Sequence, residues 1–248
     1  MNAIEPKLHL LDVEGTVAPV TLVTEQLFPY ARKHLNEFLD NRIGDPAVQA
    51  DLVLLAKENE TDTDPSLPVH RTRENWTGPV DGEKFRLFAL MYLLWLMDHD
   101  RKSTALKSLQ GRIWKAGFES GELKGTLFAD VPKAFAHWAQ TAQVAIYSSG
   151  SVEAQQLVFR YSNFGDLTPL IAGYFDTRTG AKGDSTSYKA IAASRGVAPA
   201  EAIFYSDVVR ELDAARAAGF ETRLVVRPGN ALVPLGHGHT VIERLRAV

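Results

Sequence analysis

Cysteine is absent from this chain of 248 residues, and the absence removes several kinds of chemistry at once. No disulfide, cysteine-ligated zinc site or cysteine nucleophile can form, which suits a reducing compartment. The first residues, 1–6, also lack the basic and apolar regions of a signal peptide. We therefore expect a cytoplasmic protein.

Long apolar runs and a surplus of charge of one sign are missing as well. The most apolar stretch, 87–97, is shorter than the roughly 20 residues that a membrane-spanning helix needs, and Asp98 and Asp100 follow it directly. The net charge is −3, whereas proteins that bind nucleic acids or membrane surfaces usually carry a basic patch. We expect neither a membrane nor a nucleic acid as a partner.

Two widespread catalytic motifs do not occur. The chain has no Gly-x-x-x-x-Gly-Lys-Ser/Thr phosphate loop and no Gly-x-Ser-x-Gly nucleophile turn, which argues against a P-loop NTPase and a serine hydrolase. The two histidines of the segment His237-Gly238-His239 resemble a pair of metal ligands, but no carboxylate cluster accompanies them in the sequence. We interpret this segment as a surface loop.

Two different patterns of apolar residues occupy successive parts of the chain. Apolar residues recur at helical spacing from 21 to about 121, and short apolar runs separated by helical patterns fill the chain from 131 onward. Helices are predicted at about 27–39, 46–57, 81–98, 103–120, 131–141, 152–161, 187–195 and 208–218, with a loop at 58–68. Strands are predicted at 8–11, 143–147, 170–175, 202–205 and 222–226, the last of these being the final strand.

Strands that alternate with helices predict the α/β class, with a doubly wound parallel sheet covered by helices on both faces. The first strand precedes the helical block and the other strands follow it. The block therefore reads as an all-helical insertion after strand 1. We predict a core domain of residues 1–17 and 126–248 and a helical domain of residues 18–125.

The most informative motif, Asp12-Val13-Glu14-Gly15-Thr16, follows the first predicted strand. The spacing of two places Asp12 and Glu14 on the same side of an extended segment. One carboxylate can attack while its neighbour moves a proton, which suits phosphoryl transfer through an aspartyl-phosphate. Acidic pairs after strands also cap helices and form Asx turns, so the motif alone is not specific.

Other polar residues follow the later strands: Ser148 and Ser149, then Lys182, then Asp207 with Glu211 one turn into the next helix. In a doubly wound sheet these positions converge on one crevice. Hydroxyls, a helix N-terminus and a lysine are the donors that a phosphate needs. Carboxylates of Asp12 and Asp207 are suited to hold Mg²⁺ beside it, together with a backbone carbonyl near Glu14.

Each of these residues also has a purely structural interpretation. Ser148 and Ser149 can cap the helix that begins near Val152, and Asp207 can cap the next one. Lys182 can be a solvated loop lysine, and Glu211 can face solvent and favour the helix dipole. The order of acid pair, hydroxyl, lysine and acid, each at a strand end or helix start, favours the catalytic interpretation.

This order of motifs resembles the haloacid dehalogenase-like phosphatase superfamily, whose core is a Rossmann-like sheet with an inserted cap. The Asp-x-Glu-Gly-Thr form is similar to the enolase-phosphatase family of methionine salvage, since most of the superfamily has a second Asp at Glu14. The resemblance spans residues 10 to about 230. Further stretches that carry it are 27–30, 100–107, 109–111, 147–155, 174–177 and 226–230.

The resemblance implies a role for each site residue. Asp12 would be the nucleophile and a Mg²⁺ ligand, Glu14 would serve in the metal site and as general acid/base, and Asp207 would complete the metal site. Ser148 and Ser149 would bind the substrate, and Lys182 would hold its phosphate. One Mg²⁺ per subunit and a monomer are implied, with the helical insert closing over the substrate.

The implied reaction starts from a small phosphate ester, 2,3-diketo-5-methylthiopentyl-1-phosphate. The enzyme would enolise it and then hydrolyse the phosphate, which releases 1,2-dihydroxy-3-keto-5-methylthiopentene, the acireductone. Three alternatives stay open. They are a related phosphatase of another small ester, a dehalogenase, which needs neither Glu14 nor Asp207, and a non-catalytic binding module, which predicts a missing nucleophile or metal carboxylate.

Overall fold

The computed structural model describes residues 5–68 and 82–246 of the chain. Its contacts divide them into two compact units. One unit contains the described residues up to Glu25 and from Gly121 onward, and the other is Gln26–Ser120. The predicted helical segment, 18–125, is longer at both ends than this second unit, because Ala18 pairs with Glu14 and Gly125 pairs with Ser162 inside the first unit.

A six-stranded parallel sheet forms the centre of the first unit and confirms the predicted α/β class. The strand order is β3-β2-β1-β4-β5-β6, so the first strand lies in the interior of the sheet. The strands are β1 (Leu8–Leu11), β2 (Gln143–Tyr147), β3 (Gly173–Phe175), β4 (Ala202–Ser206), β5 (Glu221–Val225) and β6 (Thr240–Ile242).

Among the described residues, the second unit contains four α-helices, which follow a short π-helical run at Leu22–Leu27. Its core consists of buried aliphatic and aromatic side chains from all four helices, including Leu35, Leu52, Tyr92 and Leu109. The helices are α1 (Phe28–Arg42), α2 (Pro46–Thr61), α3 (Glu83–Asp98) and α4 (Thr104–Ser120). None of the described helices is long and apolar enough to cross a membrane.

Four further helices cover the sheet: α5 (Val131–Trp138), α6 (Val152–Arg160), α7 (Ser185–Ser194) and α8 (Val209–Ala217). Leu8 and Leu10 of β1 and Phe204 of β4 pack with Tyr188 of α7 and Leu212 of α8 in one buried cluster. Because interior parallel strands are covered on both faces, β1 and β4 are continuous runs of buried residues rather than alternating ones.

The predicted loop at 58–68 is wrong in its first four residues, because α2 continues to Thr61. The extension has a structural reason. The Glu58 side chain extends from α2 to the start of α4. Its carboxylate accepts hydrogen bonds from the backbone N–H groups of Thr104 (3.0 Å) and Ala105 (3.3 Å), so it caps α4. The helix predicted from residue 81 begins at Glu83, because Gly82 has an extended backbone and stands at the N-cap, while Asp81 lies outside the described residues.

The prediction that 222–226 is the final strand is also wrong, because β6 follows it. Only three residues long and largely exposed, β6 has little of the apolar pattern that marks the other strands. The surface-loop interpretation fails for His239, which is buried. Its ring contacts Thr222 Oγ1 (2.8 Å) and Asp213 Oδ1 (3.1 Å) and so ties the segment before β6 to β5 and α8.

A buried histidine makes the stability of the sheet depend on pH. His9 on β1 stacks on Trp138, with ring centroids 4.1 Å apart, and its Nδ1 contacts the Tyr205 hydroxyl at 2.9 Å. Burial lowers the pKa of His9 to about 4, and the charges of Arg223 and His137 act in the same direction. Folded His9 is therefore neutral at neutral pH.

We predict that the unfolding free energy falls as pH decreases from 6.5 to 4, and that His9 accounts for about 3 kcal/mol of this fall. The reason is that His9 binds a proton over this pH range in the unfolded chain and stays neutral in the folded protein. Urea titrations at several pH values measure this slope. The His9→Phe variant keeps a stacked ring and should lose most of this pH dependence, even if it is less stable overall. His137→Gln, at an exposed position, should keep most of it. An unchanged slope in His9→Phe would contradict the prediction.

Candidate active site

The register of the sheet brings the predicted site residues to one edge. Leu11 pairs with Ile146 on one side and with Tyr205 on the other. Asp12 therefore leaves β1 level with the carboxyl ends of β2 and β4, and its N–H donates to Tyr205 O at 3.0 Å. Ser148 and Asp207 follow those two strands at the same level. This is the edge at which open parallel sheets bind ligands.

The loop after β1 turns back sharply at Gly15, which has a φ of 71°. A Cβ atom at this position would lie 2.3 Å from Asp207 Oδ2, a distance that no side chain can occupy. Glycine is thus required for two reasons, since the backbone conformation is left-handed and the Asp207 carboxyl lies directly against the loop. The turn places Asp207 beside the Asp12–Glu14 segment.

Lys182 joins two carboxylates at the centre of the site. Its Nζ lies 2.5 Å from Asp12 Oδ1 and 2.7 Å from Glu211 Oε2, and its side chain is only 10% exposed. Burial opposes the charge of Lys182, but the carboxylates of Asp12 and Glu211 outweigh it and raise the pKa of the lysine. The interpretation of Lys182 as a solvated loop residue is therefore wrong.

The other carboxyl groups of the site hold their protons more tightly than usual. Burial, and then repulsion from the Asp12 charge, raises the pKa values of Glu14 and Glu211 and raises that of Asp207 to about 6. Four carboxyl groups thus face one ammonium group, Lys182. A site with this imbalance favours either protons or an added cation.

Ser148 is buried next to the acid pair, whereas Ser149 is exposed. The Ser148 hydroxyl donates to Glu14 Oε2 at 3.5 Å and accepts from the Gly150 N–H at 3.2 Å. Neither serine caps α6. That role belongs to Ser151, whose hydroxyl accepts from the Ala154 N–H at 3.2 Å.

The structural interpretations of the two acidic residues after β4 fail as well. Helix α8 begins after Val208 and has no side-chain cap, so Asp207 does not serve as its N-cap. Glu211 does not face solvent but turns toward Lys182, and its Oε2 also accepts from the Ser206 hydroxyl at 3.0 Å.

The sequence alone indicated no role for the turn after β5. This turn forms hydrogen bonds with the loop that follows Asp12. Asn230 Nδ2 donates to Gly15 O at 3.0 Å, and Arg227 Nε donates to Thr16 O at 3.1 Å. The buried Arg227 guanidinium also pairs with Asp130 at 2.9 Å. Two carbonyls of the loop after Asp12 are therefore held by residues more than 200 positions away in the chain.

The donor set of the site fits a hard divalent cation. Asp12, Glu14 and Asp207 offer carboxylate oxygens, and Asp207 and Glu14 have raised pKa values that a nearby cation would lower. Within residues 5–68 and 82–246, no three acidic or histidine side chains stand together in the geometry of metal ligands. Lys182 instead occupies the space beside Asp12 Oδ1.

Comparisons with known proteins agree with this geometry. A family model for haloacid dehalogenase-like hydrolases matches residues 6–219. Enolase-phosphatase E1 of Synechococcus elongatus is 52% identical over 233 residues, which cover 94% of this chain and 93% of that protein. Enolase-phosphatase E1 of Danio rerio is 43% identical and covers 90% of this chain and 86% of its own.

A solved structure resembles the fold over its full length. The crystal structure of the Unknown transcript 4 protein of Saccharomyces cerevisiae aligns with a TM-score of 0.78 and 32% identity, covering 98% of this chain and 100% of that one. The family match, the identity to these relatives and the shared fold lead to one conclusion. This chain belongs to the haloacid dehalogenase-like hydrolases and, among them, to the enolase-phosphatase E1 family.

Proposed function

We propose that this protein is a Mg²⁺-dependent enolase-phosphatase that acts on 2,3-diketo-5-methylthiopentyl-1-phosphate in methionine salvage. It would release the acireductone 1,2-dihydroxy-3-keto-5-methylthiopentene and phosphate. The observation that carries the proposal is the buried Asp12 carboxylate, which lies at the sheet edge against the Lys182 ammonium in a chain of this family. A monomeric state and a cytoplasmic location stay predictions.

Asp12 is the proposed nucleophile. One of its carboxylate oxygens attacks phosphorus, the bond from phosphorus to the ester oxygen breaks, and an aspartyl-phosphate forms. The burial of Asp12 and the hydrogen bond from its N–H to Tyr205 O hold the carboxylate at a fixed position. This arrangement reduces the entropy that must be lost when the two groups meet.

Glu14 is the proposed general acid and base. Burial and the charge of Asp12 raise its pKa, so it can carry a proton for the departing ester oxygen and afterwards accept one from the water that hydrolyses the aspartyl-phosphate. Enolisation also requires a base near a carbon acid, and a carboxylate with a raised pKa is a stronger base for that step than an ordinary one. The Ser148 hydroxyl orients Glu14.

Lys182, Ser148 and Ser149 are the proposed phosphate-binding residues. The Lys182 ammonium lies against the nucleophile, so a phosphate attacked by Asp12 also meets the lysine. Asp12, Glu14 and Asp207 would hold one Mg²⁺ per subunit. When bound, this ion would offset the repulsion between the carboxylates and an anionic substrate and polarise a phosphate oxygen.

The proposal is tested by an anaerobic assay with the methylthio diketo-phosphate, in Mg²⁺ and in EDTA, that follows the ultraviolet absorbance of the enediol together with phosphate release. Both signals are expected, and both should require Mg²⁺. Phosphate release from other small esters, without any enediol, would instead show a related phosphatase with a different substrate. Binding without turnover would show a non-catalytic module.

Asp12→Asn should lower kcat by on the order of 10³-fold or more, because an amide cannot serve as the nucleophile. The protein should still fold, since the amide has nearly the shape of the carboxylate. Steady-state kinetics and a melting curve measure the two properties. Asp166→Asn, in an exposed turn, is the matched control and should leave kcat within about twofold. Residual turnover in Asp12→Asn close to the wild-type value would exclude Asp12 as the nucleophile.

Mg²⁺ binding should weaken as pH falls from 7 to 5, because Asp207, with a pKa of about 6 in the metal-free protein, must lose its proton to become a ligand. Calorimetric titrations with MgCl₂ at several pH values measure this change. Asp207→Asn should reduce the affinity at pH 7 about tenfold or more, corresponding to ~1.4 kcal/mol or more, and should flatten the pH dependence. Equal affinities of the variant and the wild type at pH 7 would remove Asp207 from the metal site.

A further inference from the structure

Three buried hydroxyl groups hold the loop that carries Lys182. The Tyr147 hydroxyl donates to Gly180 O at 2.8 Å, the Ser187 hydroxyl donates to Ala181 O at 2.8 Å, and the Tyr188 hydroxyl donates to Lys182 O at 2.7 Å. Three consecutive carbonyl groups, ending with that of Lys182 itself, are thus each fixed by a different side chain. Residues 180–182 lie outside the helices and strands, so their carbonyl groups take no part in the hydrogen-bond pattern of a helix or a sheet.

The three donors belong to rigid parts of the first unit. Tyr147 ends β2, while Ser187 and Tyr188 lie in the first turn of α7. Both tyrosines are fully buried, and their rings meet edge to face at 5.6 Å. Removal of either hydroxyl would therefore leave a carbonyl group of the loop without its side-chain donor, next to buried rings. The loop conformation is therefore coupled to the strand and the helix.

Gly180 shows how closely the loop fits against these residues. Its φ is 147°, and a Cβ atom there would lie 2.2 Å from Ser187 Oγ. Tyr147 also contributes directly, because the Lys182 ammonium lies over its ring, with Nζ 5.9 Å from the ring centroid. The same tyrosine thus contacts both the start of the loop and the end of the lysine side chain.

A lysine side chain has four rotatable bonds, so the position of Nζ is defined only when its backbone is fixed. Nζ must reach Asp12 Oδ1 at 2.5 Å and Glu211 Oε2 at 2.7 Å simultaneously. A displacement of the backbone by 1 Å is enough to break this geometry, and misplacements of that size lower the rates of enzymes substantially. Precise support of the carbonyls is therefore a requirement of the site.

We infer that the hydroxyls of Tyr147, Ser187 and Tyr188 are positioning groups that hold Lys182 in register with Asp12, an inference that rests on the proposed role of Lys182 in binding phosphate. None of the three needs to touch the substrate. They act through the backbone of Lys182. Their removal should therefore lower kcat/KM only in a protein that contains the lysine.

The test is a double-mutant cycle on hydrolysis of p-nitrophenyl phosphate in Mg²⁺, which does not depend on the identity of the natural substrate. Tyr188→Phe and Tyr147→Phe each remove one hydroxyl and keep the ring. Each should lower kcat/KM about fivefold to tenfold in the wild-type background. In a Lys182→Met background the same substitutions should change kcat/KM by less than about twofold.

Tyr174→Phe is the matched control, since the buried Tyr174 hydroxyl on β3 has no hydrogen-bond partner in the described part of the chain and its removal should leave kcat/KM within about twofold. Melting curves verify that each variant is folded. If either Tyr variant does not fold, Ser187→Ala takes its place in the cycle. The inhibition constant for inorganic phosphate provides a second measurement and should rise in step with the loss of kcat/KM.

Losses of equal size in both backgrounds would overturn the inference, because a purely structural role is additive with the loss of the lysine. No loss in the wild-type background, with Lys182→Met strongly impaired, would overturn the inference and leave the proposed function intact. Unchanged kinetics in Lys182→Met, with Asp12→Asn inactive, would instead refute the assignment of phosphate binding to Lys182. A wild-type protein inactive on aryl and natural esters would refute the phosphatase function itself.

Discussion

The ion pair between Lys182 and Asp12 is the contact on which the arrangement of this site depends. Each group is largely buried, and burial alone disfavours the charge of either one. The pair is stable because the two charges lie at 2.5 Å and Glu211 adds a second carboxylate to the same ammonium. Removal of one partner from such a pair commonly costs about 3–5 kcal/mol, since it leaves an uncompensated charge. The loops at this edge are thus constrained by electrostatics as well as by packing.

The general location of the site could be predicted because parallel strands are simple to recognise and their carboxyl ends share one edge. The apolar runs of β1, β2 and β4 identified the interior strands, and Asp12, Ser148 and Asp207 followed as the first polar residues beyond them. The residue types suited to the chemistry could be found in the same way. The prediction needed the order of strands and helices, but it did not need their contacts.

What the sequence could not supply were the contacts made by long side chains and the short elements without an apolar pattern. Nothing local distinguishes a solvated Glu211 from one that reaches Lys182, because the direction of the side chain depends on a loop nearly 30 residues earlier. Glu58 likewise reads as the start of a loop, and its role as the cap of α4 becomes visible only when the two helices are side by side. The strand β6 was missed because three mostly exposed residues give no periodic signal.

The raised pKa values explain how so many carboxyl groups can share one edge of a sheet. Four of them with a single lysine would repel each other if all were ionised, and the burial of Glu14, Asp207 and Glu211 increases that repulsion. Protons relieve it in the metal-free protein, and burial first, then repulsion from the Asp12 charge, raises the pKa of Asp207 to about 6. A divalent cation relieves it more effectively, because it interacts with several carboxylates at once. Under the proposed function, Mg²⁺ would therefore compete with protons for the same oxygens, and the bound cation would make the edge receptive to an anionic phosphate.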